Sequence, residues 1–187
     1  MNHCIAKIWH SGFAGTAFRG FLAGALTLAT CGIAAAQLDG NQNLTFKGAI
    51  GVIPVTGVAA NGTVNLNIVK GVNPGAPWRI ADLNANIDPD GHIRVVGRGL
   101  LLATGNGIGT NARQSVHASL FCTSGTNVTE HDTNLAGVAL DANGDFRIDD
   151  YPSTVQPTPC GSPVLLIRNV GGVWFAAGIP KLEPDAR

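Results

Sequence analysis

Apolar and polar residues alternate with a period of two in several short runs of this chain. Val64, Leu66 and Ile68 follow Asn61-Gly62 in that pattern, Ile93 and Val95 follow Asp90-Gly91, and Phe146 and Ile148 follow Asn143-Gly144. Successive side chains of an extended backbone point to opposite sides, so this spacing predicts strands with one buried face. In the run Ser115 to Cys122, residues Val116, Ala118, Leu120 and Cys122 share a face and His117 falls on the other. No long stretch beyond the N-terminal region carries apolar residues at the 3.6-residue spacing of an amphipathic helix.

Three segments repeat one turn grammar: Ala59-Ala60-Asn61-Gly62, Asp88-Pro89-Asp90-Gly91 and Asp141-Ala142-Asn143-Gly144. A type I turn accepts Asp at its first position, Pro or Ala at its second and Asn or Asp at its third. The next residue is left-handed, a conformation that glycine adopts without steric cost. Each segment therefore predicts a hairpin. Further strands are expected over 44–55, 78–87, 97–104, 115–122, 163–169 and 173–179, the first bulged or at an edge because it contains Gly48, Gly51 and Pro54. Eight or nine short strands without helical pattern predict an all-β fold, an antiparallel β-sandwich with a small β-barrel as the alternative. Scattered bulge-forming glycines favour the sandwich.

The first 36 residues differ from the rest. Lys7 and Arg19 are their only charged side chains, and an apolar run from Phe21 ends in Ala34-Ala35-Ala36. This is the layout of a signal peptide cleaved after Ala36, leaving residues 37–187 as one secreted β domain with a proline-rich loop over 149–163. Leu28-Ala29-Thr30-Cys31 offers the alternative of a lipid anchor on Cys31, although threonine is a poor residue immediately before such a cysteine. No second long apolar segment follows, so no integral membrane span is expected after cleavage. The alanine-rich leader has a bacterial style and directs the chain to the periplasm or out of the cell. Residues 37–187 hold ten basic and twelve acidic side chains with no run of either sign. That balance excludes nucleic acid and anionic membrane as main partners, since both require a concentrated basic face.

Two of the four cysteines, Cys4 and Cys31, lie in the leader, so an exported chain is left with Cys122 and Cys160 to form one disulfide. The bond would close a loop of 38 residues. In the chain-entropy picture that contributes roughly 3–4 kcal/mol.

Candidate chemistry is sparse. The stretch LDANGDFRIDD gathers Asp141, Asn143, Asp145 and Asp149 as candidate calcium ligands. A helix-loop-helix calcium loop needs glycine at its sixth position and glutamate at its twelfth. Counted from Asp141, glycine comes fourth and the twelfth residue is Pro152, so the turn reading takes precedence. Gly105, Gly107 and Gly109 resemble a phosphate-cradling loop, but the chain continues into a strand instead of opening a helix. His92, His117 and His131 show no close metal-ligand spacing and are expected at the surface. Glu130 and Asp132, which flank His131, are read as solvated with it. There is no G-x-S-x-G elbow. Trp174, inside an apolar run, is assigned to the core, whereas Trp78 is the candidate for an exposed platform that stacks on a ligand.

The chain is therefore expected to be an exported, non-catalytic β-sandwich that binds a ligand or a component of the cell envelope. No cofactor is expected, with calcium as the alternative. The competing expectation is a secreted metal-dependent or hydrolytic enzyme that uses His117, His131 and nearby acids.

Overall fold

The computed structural model describes residues 43–52 and 67–181. The expected cleavage point at Ala36, Cys31, and the first of the three turns, at 59–62, lie outside the described residues. Eleven strands follow in order: β1 Leu44–Gly51, β2 Trp78–Arg79, β3 Asp82–Ile87, β4 Ile93–Arg98, β5 Leu101–Leu102, β6 Ser115–Ser124, β7 Asn127–Asp132, β8 Val138–Ala139, β9 Phe146–Asp150, β10 Val164–Asn169 and β11 Trp174–Lys181. Among the described residues the only helical element is a single 3-10 turn, Gly105–Gly107, and no helix is long and apolar enough to cross a membrane.

The all-β antiparallel expectation holds. Nine strands form one sheet in the order β7-β6-β10-β11-β1-β3-β4-β9, with β8 also pairing to β6, while β2 and β5 form a separate two-stranded ribbon. The sheet curls into a half-barrel, an arrangement between the two architectures expected. Its end strands are strapped together. Ser153, just after β9, donates its N–H to the carbonyl of Asp132 in β7 at 2.9 Å, and Asn134 donates to Asp150 Oδ2 at 2.9 Å.

The turn chemistry acts as its residues dictate. Gly91 donates to the Asp88 carbonyl at 2.9 Å with φ +92°, and the hairpin β3–β4 follows in register. Gly144 donates to the Asp141 carbonyl at 3.0 Å with φ +79°. Here the turn forms but the expected hairpin does not. β9 pairs with β4, and β8 pairs with β6. A Cβ on Gly144 would come within 2.4 Å of the Leu100 carbonyl, so glycine is required by both conformation and space.

Two strand expectations are corrected. The single strand over 78–87 breaks into β2 and β3 because the two halves pair with different partners, β2 with β5 in the separate ribbon and β3 with β1 and β4 in the main sheet. The strand over 97–104 breaks at Gly99, whose φ is +63°. One strand was not foreseen: β7 is a mostly exposed edge strand joined to β6 through Gly125-Thr126. Its sequence, Asn127-Val128-Thr129-Glu130-His131-Asp132, is too polar to signal burial.

The inner face of the curl carries the main core, including Phe46, Leu83, Ile87, Val95, Leu120, Leu165, Ile167 and Phe175. Gly97 lies opposite Phe146 in the β4–β9 ladder and leaves room for its ring, which a Cβ there would meet at 2.1 Å. A second cluster of Val52, Val72, Phe121, Leu166 and Trp174 covers the outer face of β6, β10 and β11. Segment 67–75 holds it down: Trp174 donates Nε1–H to the Asn67 carbonyl at 3.0 Å and its backbone N–H to Asn73 at 3.0 Å.

Cys122 and Cys160 are joined in a disulfide with their Cα atoms 4.9 Å apart, as expected. Cys122 points into the core from β6, and the bond anchors the proline-rich loop to it.

Candidate functional site

The outer surface of β1, β3, β4 and β9 is built by strict alternation. β3 shows it most clearly: Leu83, Ala85 and Ile87 are buried while Asp82, Asn84 and Asn86 are exposed. Antiparallel register then aligns outward side chains from different strands into two rows. One row runs Thr45, Asn86, Arg94, Asp149, and the other runs Lys47, Asn84, Val96, Arg147. A groove of about 270 Å3 lies along them, lined by Thr45, Lys47, Asn84, Asn86, Arg94, Val96 and Arg147 together with the backbone beneath.

Hydrogen bonds hold several of these groups in place. Thr45 Oγ1 donates to Asn86 Oδ1 at 3.0 Å, and Asn84 Nδ2 donates to Asp82 Oδ2 at 2.9 Å. Arg94 Nη2 meets both oxygens of Asp88, at 2.8 and 2.6 Å, and Nη1 donates to His92 Nδ1 at 3.1 Å. A guanidinium can only donate, so His92 Nδ1 accepts and its ring proton sits on Nε2, which donates to Asp149 Oδ1 at 2.7 Å. Hydrogen bonds from Arg147 and then from His92 hold the Asp149 carboxyl below the usual carboxylate range. Tyr151 stacks on His92 at 4.5 Å, and the nearby Asp90 carboxylate pushes its phenol pKa up.

A second polar group sits on the outer face of the opposite flank. Ser119 donates to Asp132 Oδ1, and Arg168 Nη1 donates to Ser119 Oγ at 3.1 Å and to Glu130 Oε1. Arg168 Nε is tied to the Gly172 carbonyl at 3.0 Å. His117 lies directly across the ladder from Arg168, buried, and neither ring nitrogen has a hydrogen-bond partner. Burial lowers its pKa, Asp132 opposes that shift and Arg168 adds to it.

The residues singled out from sequence fall as follows. Asp141 Oδ1 accepts from the N–H groups of Asn143 at 2.8 Å and Asp145 at 2.9 Å, which is a turn cap. Asp145 Oδ1 accepts from Gly99 N–H at 2.9 Å, and Asp149 is engaged with His92 and Arg147. Among the described residues no three His, Cys, Asp or Glu side chains gather into a set able to hold a metal ion. Trp78 is not the exposed platform expected. It is 4 % exposed, with its ring stacked on Phe175 at 4.2 Å, because the β2–β5 ribbon folds onto the main core.

The surface placement expected for His117 and His131 is also corrected. They are 2 % and 4 % exposed, and they lie on opposite faces of the sheet. His131 is opposite Leu120, an inward residue of β6, whereas His117 shares the outer face with Ser119. On β7, Glu130 and Asp132 face Arg168, and His131 turns the other way to bond Thr154 at 3.1 Å and Thr129 Oγ1 at 2.9 Å. The imidazoles of His117 and His131 therefore do not share a site.

Sequence reasoning missed Lys47, Asn84, Asn86, Arg94 and Arg147, and also Ser119 and Arg168. The signal for the first group was present in the polar half of each alternating strand. What brings them together is register between strands distant in sequence, which one chain read alone does not carry. Compared with known proteins, the chain matches no family profile, no curated protein and no solved structure.

Proposed function

We propose that this protein is an exported, non-catalytic binding module and that its ligand sits in the groove across β1, β3, β4 and β9. The observation that carries this reading is the alignment of Thr45, Asn84 and Asn86 with three basic side chains along one groove. Such a set donates and accepts hydrogen bonds to a polar ligand without supplying a nucleophile and base in contact. On the other flank, Ser119 is occupied by Asp132 and Arg168, so its hydroxyl is used in packing. Export to the periplasm or out of the cell is supported by the leader pattern of residues 1–36 and by the disulfide, a bond that persists in oxidising compartments. N-terminal sequencing of the exported protein should then begin at Gln37.

The binding reading is tested by NMR titration of the purified exported protein with neutral and acidic oligosaccharides. Shift changes should concentrate at Thr45, Asn84, Asn86 and Val96. Changes centred on the opposite flank, or none with any probe, would remove the groove as the ligand seat.

A further inference from the structure

Resting on that reading of the groove, we propose that its ligand is an acidic saccharide whose carboxylate or sulfate is held between Lys47 and Arg147.

Every charged side chain lining the groove is basic: Lys47, Arg94 and Arg147. The carboxylates that pair with them, Asp88 and Asp149, lie outside the lining. Arg94 is the most fixed of the three, held by Asp88 and His92. Arg147 has one Nη2 contact, to Asp149 at 3.2 Å, and its side chain is 69 % exposed. A guanidinium has five N–H donors, so most of those on Arg147 remain available. Lys47 is exposed and, among the described residues, has no carboxylate partner.

Lys47 and Arg147 occupy the two ends of one row, with Asn84 and Val96 between them. Three strand spacings separate their backbones by about 14 Å. Both side chains are long enough to lean inward from that distance, so an oxyanion over the Asn84–Val96 pair receives a donor from each side.

The remaining lining groups suit hydroxyls. Asn86 uses its carbonyl oxygen to accept from Thr45, which leaves its amide N–H groups to donate. Asn84 uses its amide nitrogen on Asp82, which leaves its carbonyl oxygen to accept. Neighbouring outward positions on β3 thus offer one donor and one acceptor to the hydroxyls of a saccharide that runs along the strand. Residues 37–187 carry slightly more acid than base, so diffuse attraction to a polyanion does not account for binding and the recognition is local.

The test uses the exported protein and three probes: a galacturonate hexamer, the same hexamer fully methyl-esterified, and inorganic sulfate. Calorimetry should show the acid hexamer binding with an affinity that falls as salt rises, and the ester binding about tenfold or more weaker. Lys47→Gln and Arg147→Gln, both at exposed positions, should each weaken the acid hexamer about tenfold and leave the ester unchanged. Asn84→Ala should weaken both hexamers. Equal binding of acid and ester, lost together in Asn84→Ala, overturns the acidic ligand while the groove reading stands. Sulfate binding as tightly as the acid hexamer overturns the saccharide. Failure of all three probes to perturb groove resonances overturns the proposal and the groove reading together.

Discussion

The two flanks of the curled sheet carry polar side chains on the same outer face and use them differently. On the β6–β10–β11 flank that face is covered. β6 is buried at seven consecutive positions, and its outward Ser119 and His117 lie in a packed layer with Phe121, Leu166 and Trp174. On the β1–β3–β4–β9 flank the face is open and polar groups stand along a groove. Burying a polar group favours bonding it internally, and Ser119 and Arg168 are so bonded, to each other and to Asp132 and Glu130 at the rim, while His117 beside them is buried with neither ring nitrogen paired. Open to solvent, comparable groups remain available to something outside. The same residue types are structural on one flank and candidates for recognition on the other.

Substitutions can break this contrast, and the largest effect is expected under the cover of the outer layer. Trp174→Ala should cost about 3–5 kcal/mol in urea unfolding by removing the centre of the second cluster. A loss below about 1 kcal/mol would mean that the flank is not packed as described. Replacing both Cys122 and Cys160 by serine should lower stability by roughly 3–4 kcal/mol, read in the same way. Asp132→Ala should cost about 1–3 kcal/mol, because Ser119 and Arg168 each lose a partner in a site with little water.

A gentler effect comes from pH. His117 has a lowered pKa in the folded protein, so as pH falls through about 6.5 the unfolded chain takes up the proton first. Folding stability should therefore decline below that pH and be free of this contribution above it. His117→Leu should flatten the decline in thermal melts between neutral and mildly acid buffers, and an unchanged pH profile would contradict the buried neutral imidazole. Smallest of all, Asn86→Ala on the open flank should change stability by no more than about 0.5 kcal/mol. A larger loss there would place Asn86 in the framework and erase the contrast.

Much of the fold is legible in local sequence because its determinants are local. Asp88-Pro89-Asp90-Gly91 specifies a turn through the conformational preferences of four residues, and the alternation in β3 reports burial on one side. Legibility fails where the deciding contact is remote. Asp141-Ala142-Asn143-Gly144 makes its turn, yet the strand beyond it pairs with β4 and not with the strand before it. Trp78 reads as an exposed platform until the β2–β5 ribbon lays it on Phe175. β7 escaped notice because a polar edge strand needs only a neighbour to bond with, and polar residues satisfy that without an apolar signature.

The chain by itself determined that its backbone would be extended and punctuated by glycine turns, and it marked Cys122 and Cys160 as the cysteines to pair. Those outcomes follow from φ/ψ preferences, side-chain alternation and cysteine count, all properties of residues close together or of composition. Only the tertiary structure decided that His117 and His131 face apart, that Ser119 is used up by Arg168 and Asp132, and that Lys47 and Arg147 frame one groove. The physical reason is register: a shift of one residue in any ladder sends a side chain to the opposite face, and the energies that set register come from the whole core and not from the strand that carries the residue.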